Sequence, residues 1–420
     1  MWEGGLNRQS VDLSVRKKET SQSNVRLTYT AEMGLKSQLL RCLGLARHDL
    51  YMAKSLKRIE WLYRPSCHIP QASIAMAPVM DPTPADVSFC ERLIAAYQSS
   101  NRSAGGPVWS SIISREYQQM RDSLENQRGV DLAFILSRMF RSSCVHGIAS
   151  GDLYKSTLAK RIWQLKLFDD SVSLAEYLGV VRVENPEQGA IGKALADGLA
   201  PLVDRIEERL GPIGFPCVGG PYGIYAGDRL LTMESPEYIY VAARIREAIR
   251  GNLPRLARPE ILEIGAGFGG TALFVLRFMP EVKRYVIIDL PIINVLQGYF
   301  LGKCFGFNAV SFFRESCARI QILPPSELPA QSCDILLNEN SMPEMPAETV
   351  CEYLKWASGN VRGIFYSYQQ EAWNGQVLVP EAIAQSTPLI RLSRNPSWVR
   401  RGYVEEVYAH PDACKGACYH

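Results

Sequence analysis

Residues 260–291 read EILEIGAGFGGTALFVLRFMPEVKRYVIIDLP, and this stretch specifies the central unit of the fold. Its first apolar segment, residues 261–264, predicts a strand, and the GAGFGG that follows predicts a tight turn. Apolar periodicity over residues 271–279 predicts a helix, and a second apolar strand ends at Asp289. Strand, glycine turn, helix and strand in this order form a βαβ half-unit with room for a nucleotide-sized ligand.

Length and composition limit the remaining possibilities. A chain of 420 residues, 47% of them hydrophobic, predicts a packed interior divided between two domains. The net charge of +3 is too small to favour nucleic acid or an anionic membrane as the main partner. The eleven cysteines show no pairing rhythm, which favours reduced thiols. With a polar amino terminus and no apolar run of membrane-spanning length, the sequence predicts a cytoplasmic protein.

The pattern along the chain predicts five segments. Residues 1–28 are polar and aperiodic, which predicts a disordered or loosely docked tail. Helical periodicity dominates residues 29–210 and predicts an α-helical amino-terminal domain, with a basic face over residues 36–58 that we interpret as solvated. A glycine- and proline-rich segment with a linker helix covers residues 211–258, an α/β domain covers residues 259–410, and residues 411–420 form a tail.

The segment 211–236 interrupts the helical pattern with glycines, prolines and aromatic residues, Tyr222 and Tyr225 among them. A long aromatic-bearing loop beside a pocket is typical of a lid or a substrate wall, and a structural hinge is the alternative. Ser235, Pro236 and Glu237 then predict the capped start of a helix that reaches Gly251.

Downstream of Asp289 the α/β alternation continues. We predict a helix over residues 292–304 and strands over residues 319–323, 334–337 and 363–368, with a further helix over residues 348–357. Residues 388–394 and 403–410 flank Asn395 and Pro396 and predict an antiparallel pair that closes the sheet. The fold class is therefore α/β, a Rossmann-like domain with a mixed sheet.

The glycine turn alone does not distinguish two cofactor classes. Gly265, Gly267 and Gly270 satisfy GxGxxG, and Asp289 lies 19 residues beyond the last of them, so a nicotinamide dinucleotide is compatible with the pattern. Glu263, two residues before the turn, favours S-adenosylmethionine instead, because a carboxylate there can hold the cationic methionine end. Asp289 can accept hydrogen bonds from ribose hydroxyls in either case. The residues predicted to bind the cofactor are Glu263, Gly265, Gly267, Gly269, Asp289, Leu290 and Asn338.

Four blocks of the sequence carry a family resemblance: ILEIGAGFGGTA, YVIIDLP, DILLNENSMPEM and IFYSYQQ. Together they resemble the bacterial sugar O-methyltransferase family of class I S-adenosylmethionine-dependent enzymes, over roughly residues 130–375. FILSRMF, HGIASGD and SPEYIYVAARI resemble that family's upstream segment. The resemblance implies a Rossmann-like methyltransferase domain and a sugar hydroxyl as the methyl acceptor.

Methyl transfer to an aliphatic hydroxyl requires a base that removes the proton in the transition state. Glu344 and Glu339 flank the loop after the predicted fourth strand and are the first candidates, and a helix-capping role is the alternative for each. His146 is an alternative base, although a structural role is more typical of a lone histidine. For contact with the acceptor we predict the side chains of Tyr222, Tyr225, Tyr366 and Gln369.

We expect no metal at this site, because Asp334 is alone and no aspartate pair follows the fourth strand. Cys414 and Cys418 in CKGAC lack the second ligand pair of a structural zinc site. Other hypotheses remain open, namely O-methylation of a non-sugar natural product, an NAD-dependent oxidoreductase and a non-catalytic partner subunit. A homo-oligomer through the helical segment is compatible with the sequence.

Overall fold

The computed structural model describes residues 74–100, 105–149, 157–185, 193–371 and 377–411. The helices are α1 (Pro84–Ser99), α2 (Pro107–Glu116), α3 (Gln118–Glu125), α4 (Gly129–Leu136), α5 (Thr157–Tyr177), α6 (Leu199–Leu210), α7 (Ser235–Asn252), α8 (Gly270–Phe278), α9 (Pro291–Phe305), α10 (Ala347–Asn360) and α11 (Val379–Ser386). The strands are β1 (Ala75–Met76), β2 (Tyr222–Ala226), β3 (Arg229–Leu231), β4 (Glu260–Ile264), β5 (Arg284–Ile288), β6 (Val310–Phe312), β7 (Ile320–Leu323), β8 (Cys333–Glu339), β9 (Val361–Gln370), β10 (Ile390–Pro396) and β11 (Tyr403–Ala409). The predicted tail 1–28, the helical pattern and basic face before residue 64, and the CKGAC segment lie outside the described residues.

An eight-stranded sheet organises the chain, in the order β10-β11-β9-β8-β4-β5-β7-β6. The six strands β6, β7, β5, β4, β8 and β9 pair with one another in parallel, whereas β11 is antiparallel to both β9 and β10. With the short edge strand β6 left out and β4 counted as strand 1, the parallel strands β7-β5-β4-β8-β9 have the doubly wound order 3-2-1-4-5. The order reverses between β4 and β8, which places the ligand crevice of a Rossmann-like sheet at their carboxyl ends.

The predicted βαβ unit is confirmed, with β4, α8 and β5 within one or two residues of the expected bounds. The predicted antiparallel pair near the carboxyl terminus is β10 and β11. The predictions missed the short edge strand β6 and the helix α11. α7 begins at Ser235, as predicted, with Pro236 in its first turn, but no side chain caps it: the Ser235 hydroxyl accepts a hydrogen bond from the Thr232 backbone N–H at 2.9 Å, upstream of the helix.

Helices cover both faces of the sheet. Alternate residues of β4 point to opposite sides, so Ile261 packs into the layer of α7, α8 and α9 while Leu262 packs with α10 and α11. Both faces of the parallel strands are therefore buried, as the continuous apolar runs of their sequences require.

The amino-terminal helices share their core with the sheet. Phe89 of α1 stacks on Phe307 with ring centroids 4.2 Å apart, and Arg92 forms hydrogen bonds with Glu315 and with the Val310 carbonyl. Apolar residues of α1, α4 and α5 join the same buried cluster as those of α8 and α9. The described helices between residues 84 and 210 therefore pack as a layer on the sheet, and a separate α-helical domain over residues 29–210 stays a prediction.

The segment 211–236, predicted to be an irregular lid or hinge, instead contains a β-hairpin. β2 and β3 pair antiparallel, and β1 adds a third strand to this small sheet. Arg229 binds Asp204 and Glu207 of α6, and Arg277 of α8 donates to the Gly214 carbonyl at 2.6 Å. These contacts anchor the segment to α6 and α8, and Gly227, with φ +68°, lies in the tight turn between β2 and β3.

No helix in the described part of the chain is both long and apolar enough to cross a bilayer. The seven cysteines in that part are free thiols.

Candidate functional site

A cavity of about 510 Å³ opens where the strand order reverses, at the carboxyl ends of β4, β5, β7 and β8. Its size falls within the range of small-molecule sites, roughly 300–1,000 Å³. Seven of the predicted site residues line it, namely Glu263, Gly265, Gly267, Asp289, Leu290, Glu339 and Glu344. The spacing motifs and the two loop acids therefore converge on one site.

The glycine turn forms the floor of the cavity. Gly265 has φ +74°, and a Cβ atom there would lie 2.2 Å from the Ser341 hydroxyl, so only glycine fits. Gly267 has φ +56° and the nearest atom to an added Cβ would be 3.7 Å away, which leaves its backbone open to a ligand. Gly269, predicted to bind the cofactor, instead caps α8 at φ +98° and does not line the cavity.

Asn338 supports the turn from below. It is fully buried, and its amide nitrogen donates to the Ile264 carbonyl at 2.7 Å and to the Ser341 hydroxyl at 2.6 Å. It does not line the cavity but holds the turn through these bonds, and its predicted contact with the cofactor stays a prediction.

Glu263 is buried beneath the turn, with only 1% of its surface exposed. Burial raises the pKa of its carboxyl group to about 8, against the lowering effect of a hydrogen bond of 2.7 Å from the Tyr285 hydroxyl. Tyr285 stands beside it on the adjacent strand. A carboxyl group in this position carries a proton at neutral pH until a positive charge arrives.

Asp289 lies at the tip of β5. Burial raises the pKa of its carboxyl group to about 7, although it accepts hydrogen bonds from the Leu290 backbone at 2.8 Å and from the Gln297 amide at 2.7 Å. Gln297 also donates to the Gly267 carbonyl at 2.8 Å. One fully buried amide therefore fixes the carboxylate and the glycine turn relative to each other.

Glu344 lies at the end of the cavity that is built by α2 and the loop after β8. It accepts a hydrogen bond of 3.1 Å from the Trp109 indole nitrogen, and burial raises the pKa of its carboxyl group to about 7. The backbone before α2 packs tightly here, since a Cβ atom on Gly105 would lie 3.0 Å from Leu290 and one on Gly106 would lie 2.8 Å from Pro346. Glu344 is thus grouped with Leu290, on the Asp289 side of the turn.

Glu339 lies in a different group. It accepts a hydrogen bond from the Thr271 hydroxyl in the first turn of α8, and burial together with the nearby Glu237 holds its pKa well above the usual value. Glu237 of α7 in turn accepts hydrogen bonds at 2.8 Å on both carboxylate oxygens from one terminal nitrogen of Arg400. Tyr238 covers the start of α8, where a Cβ atom on Gly270 would lie 2.5 Å from its ring.

The cavity is acidic. Six carboxylic acids line it in the described part of the chain, against a single arginine, Arg400, and no lysine. The positive charge of Arg400 is already engaged by Glu237. Such a wall favours a cationic ligand and disfavours a phosphorylated one.

Four predicted substrate residues and the alternative base lie outside the cavity wall. Tyr366 is fully buried and donates to Glu405 at 2.9 Å, and Gln369 is buried with its amide nitrogen on Asn338 at 2.7 Å. Neither side chain lines the cavity, and their predicted contact with the acceptor stays a prediction. Tyr222 and Tyr225 lie in strand β2 of the β2–β3 hairpin. His146 is exposed beside Gly147, which does line the cavity.

Several wall residues had no signal in the sequence. Glu237 and Arg400 are 163 residues apart and meet only because the β10–β11 loop folds over the start of α7. Trp109 reaches the site from a helix far upstream of the motifs. Thr271 alone was within reach of motif reasoning, as the first hydroxyl after the glycine turn.

The described residues contain no group of three or more histidine, cysteine, aspartate or glutamate side chains arranged to hold a metal ion.

Comparison with protein-family models and with curated proteins finds no match. Among solved structures, the N-methyltransferase NodS from Bradyrhizobium japonicum WM9, in complex with S-adenosylhomocysteine, is 15% identical, with a TM-score of 0.30 over 41% of this chain and 88% of that one. Magnesium protoporphyrin IX methyltransferase from Synechocystis PCC 6803, with bound S-adenosylmethionine, is 7% identical, with a TM-score of 0.30 over 44% and 86%. The 1,6-didemethyltoxoflavin-N1-methyltransferase from Burkholderia thailandensis is 13% identical, with a TM-score of 0.30 over 41% and 78%. Because these sequence identities and TM-scores are low, we assign the Rossmann-like fold from the order and direction of the strands alone.

Proposed function

We propose that this protein is an S-adenosylmethionine-dependent O-methyltransferase that acts on a hydroxyl group of a sugar or glycosylated small molecule. The observation that carries the proposal is the acidic cavity beside the glycine turn, with six carboxylic acids and one paired arginine. S-Adenosylmethionine supplies an electrophilic methyl group on a positively charged sulfonium. A wall that is short of positive charge suits this cation.

The same wall disfavours a nicotinamide dinucleotide. Dinucleotide pyrophosphates bind at the amino terminus of the helix after the glycine turn. Here that position is covered by the Tyr238 ring and by Glu339 on Thr271, so a pyrophosphate would meet an acidic group and an aromatic ring. The oxidoreductase hypothesis is therefore the less favoured one.

The residues present fit the cofactor in named roles. The open backbone at Gly267 allows close approach, Asp289 accepts from the two ribose hydroxyls, and Glu263 offsets positive charge from beneath the turn. Glu344 and Trp109 close the adenosine side and exclude water. Glu344, a candidate base from the sequence, is thereby proposed as a cofactor-side residue.

Glu339 is the proposed general base. In the transfer step the acceptor oxygen forms a bond to the methyl carbon, the bond from that carbon to sulfur breaks, and the hydroxyl proton passes to the Glu339 carboxylate. Burial and the nearby Glu237 hold the pKa of Glu339 well above its usual value, and a positive charge in the cavity lowers that pKa toward the carboxylate form. His146 is the less favoured base because it does not line the cavity.

Calorimetry tests the cofactor. We expect micromolar binding of S-adenosylhomocysteine and none of NAD, and Asp289→Asn should weaken S-adenosylhomocysteine roughly tenfold through the lost ribose contacts. Asp228→Asn is the matched control, since this aspartate is 97% exposed on the β2–β3 turn. Binding of NAD without S-adenosylhomocysteine would refute the proposed cofactor.

Transfer of a labelled methyl group to a panel of glycosides tests the acceptor. Product formation that depends on Glu339 would support O-methylation. A non-sugar acceptor is favoured instead if only non-glycosidic hydroxyl compounds are methylated.

A further inference from the structure

The end of the cavity away from Glu344 carries its own polar group, formed by Glu237, Glu339, Asn340 and Arg400. We propose that these four residues form the acceptor subsite, and that it takes an unphosphorylated, hydroxyl-rich acceptor, a free sugar or glycoside, rather than a sugar phosphate or nucleotide-linked sugar. The inference rests on the proposed function and extends it to the class of acceptor.

Three elements bring the subsite together over the edge of the sheet. Glu237 stands in the first turn of α7, Arg400 in the loop between β10 and β11, and Glu339 at the end of β8. Arg400 lies over the Tyr403 ring, 4.1 Å from its centroid, and is held by Glu237 through two contacts of 2.8 Å. The guanidinium is therefore fixed in place before any ligand arrives.

The buried side-chain oxygen of Asn340 also points to a ligand at this subsite. Its side-chain oxygen is buried without a hydrogen-bond partner in the described part of the chain, although the residue lines the cavity. Its backbone has φ +52°, and its backbone N–H donates to the Tyr368 carbonyl at 2.8 Å. A buried hydrogen-bond acceptor without a donor destabilises the protein, and a donor group on a bound ligand would satisfy the Asn340 oxygen.

Hydrogen-bond chemistry selects the class of acceptor. The subsite offers the carboxylates of Glu237 and Glu339, the amide oxygen of Asn340 and the donors of Arg400. A sugar hydroxyl both donates and accepts, so adjacent hydroxyls can satisfy all of these groups. An ionised phosphate only accepts, so it leaves the Asn340 oxygen unpaired and cannot donate to the carboxyl oxygens of Glu237 and Glu339.

The distribution of charge in the cavity also favours an unphosphorylated acceptor. Phosphate sites use free arginine or lysine side chains or an exposed helix amino terminus. Arg400 is the one cationic side chain among the described wall residues, and its charge is neutralised by Glu237. The start of α8 is covered by Tyr238 and bonded to Glu339 through Thr271. The described wall therefore offers a nucleotide diphosphate no unpaired cation.

The test is binding to the full-length protein saturated with S-adenosylhomocysteine. Saturation-transfer NMR compares neutral methyl glycosides of the common hexoses and pentoses with the corresponding sugar 1-phosphates and uridine-diphosphate sugars, at matched millimolar concentration. We expect at least one neutral glycoside to bind and the phosphorylated forms to bind at least tenfold more weakly. Tighter binding of a phosphorylated form, or binding of no neutral glycoside, overturns the proposal.

Asn340→Gly removes the amide while keeping a residue that tolerates positive φ, so the fold is preserved. It should weaken the glycoside roughly tenfold and leave the affinity for S-adenosylhomocysteine within twofold. Arg400→Ala should weaken it further, with the neighbouring exposed Arg401→Ala as the control. Unchanged glycoside affinity in Asn340→Gly contradicts the assignment. If the wild-type protein fails to bind S-adenosylhomocysteine, the proposed function itself fails, which is a separate result.

Discussion

Replacing Glu263 by glutamine should stabilise the free protein and weaken the cofactor, and the stability effect should depend on pH. Glutamine has nearly the shape of a protonated glutamate and can still accept the hydrogen bond from Tyr285. What it lacks is the proton equilibrium of a carboxyl group whose pKa burial raises from 4.5 to about 8.

Proton linkage determines how the free energy of unfolding depends on pH. Below pH 4.5 the carboxyl group is protonated in both the folded and the unfolded chain, so it contributes no pH dependence. Between pH 4.5 and about 8 the unfolded chain loses the proton while the folded chain keeps it, so the free energy of unfolding falls as pH rises. A shift of this size, at about 1.4 kcal/mol per pKa unit, sets an upper limit of about 5 kcal/mol.

Some water penetration and relaxation reduce that limit, and a gain of roughly 2–5 kcal/mol for Glu263→Gln at pH 8 is expected. In a chain of this length it corresponds to a rise in Tm of roughly 2–6 °C. At pH 5 the two proteins should differ by less than about 1 kcal/mol.

Thermal and urea denaturation at pH 5 and pH 8 measure the difference. The control is Glu348→Gln, an exposed residue in the first turn of α10, which should change stability by less than about 0.5 kcal/mol at either pH. Equal stability changes at the two pH values, or a loss of stability at pH 8, would refute the reasoning. In calorimetry the same variant should bind S-adenosylmethionine more weakly than the wild type.

Four further outcomes follow from the cavity. Glu339→Gln should lower turnover of an accepted glycoside by roughly 10²–10⁴-fold and leave the Kd for S-adenosylhomocysteine within about twofold. Turnover within a few-fold of wild type would exclude Glu339 as the base. Glu344→Gln should weaken S-adenosylhomocysteine several-fold with Glu348→Gln unchanged, and the reverse pattern, a loss of turnover alone, would return it to the catalytic side. Gly265→Ala should destabilise the protein by more than about 2 kcal/mol, whereas Gly359→Ala, whose Cβ meets no atom, should not, and urea denaturation compares them. The ratio of S-adenosylmethionine to S-adenosylhomocysteine affinity should rise between pH 6 and 8, as the carboxyl groups ionise more easily around the sulfonium, and a ratio independent of pH would contradict this.

The elements that the sequence predicted well are those whose signals are local. β4, α8 and β5 follow from apolar periodicity and a glycine turn, and Glu263 and Asp289 reach the cavity because they occupy fixed positions at strand ends. The parallel sheet follows from the alternation of strands and helices. Short strands escaped detection because the hairpin β2–β3 lies between glycines and prolines that read as a loop.

The acceptor side could not be predicted, because its residues meet only through tertiary packing. Glu237 and Arg400 come from separate elements, and Asn340 looks like any loop residue until its buried oxygen is placed. Proximity in sequence was also misleading for the two loop acids. Glu339 and Glu344 are five residues apart, yet the short helical turn Met342–Glu344 directs the second toward Trp109 and away from Thr271.

The separation of these two acids gives each carboxyl group a distinct relation to charge. Glu339 is crowded by Glu237 and Glu263, so its proton affinity responds to every charge at the centre of the cavity, whereas the pKa of Glu344 is raised by burial alone. In the proposed reaction, a positive charge beside the turn would lower the pKa of Glu339 and favour the carboxylate that acts as the base. Methyl transfer would remove that charge, so the pKa of Glu339 would rise again as it receives the acceptor proton. We expect proton transfer to Glu339 to be coupled in this way to the step that consumes the donor, a coupling that a residue on the Glu344 side would not gain.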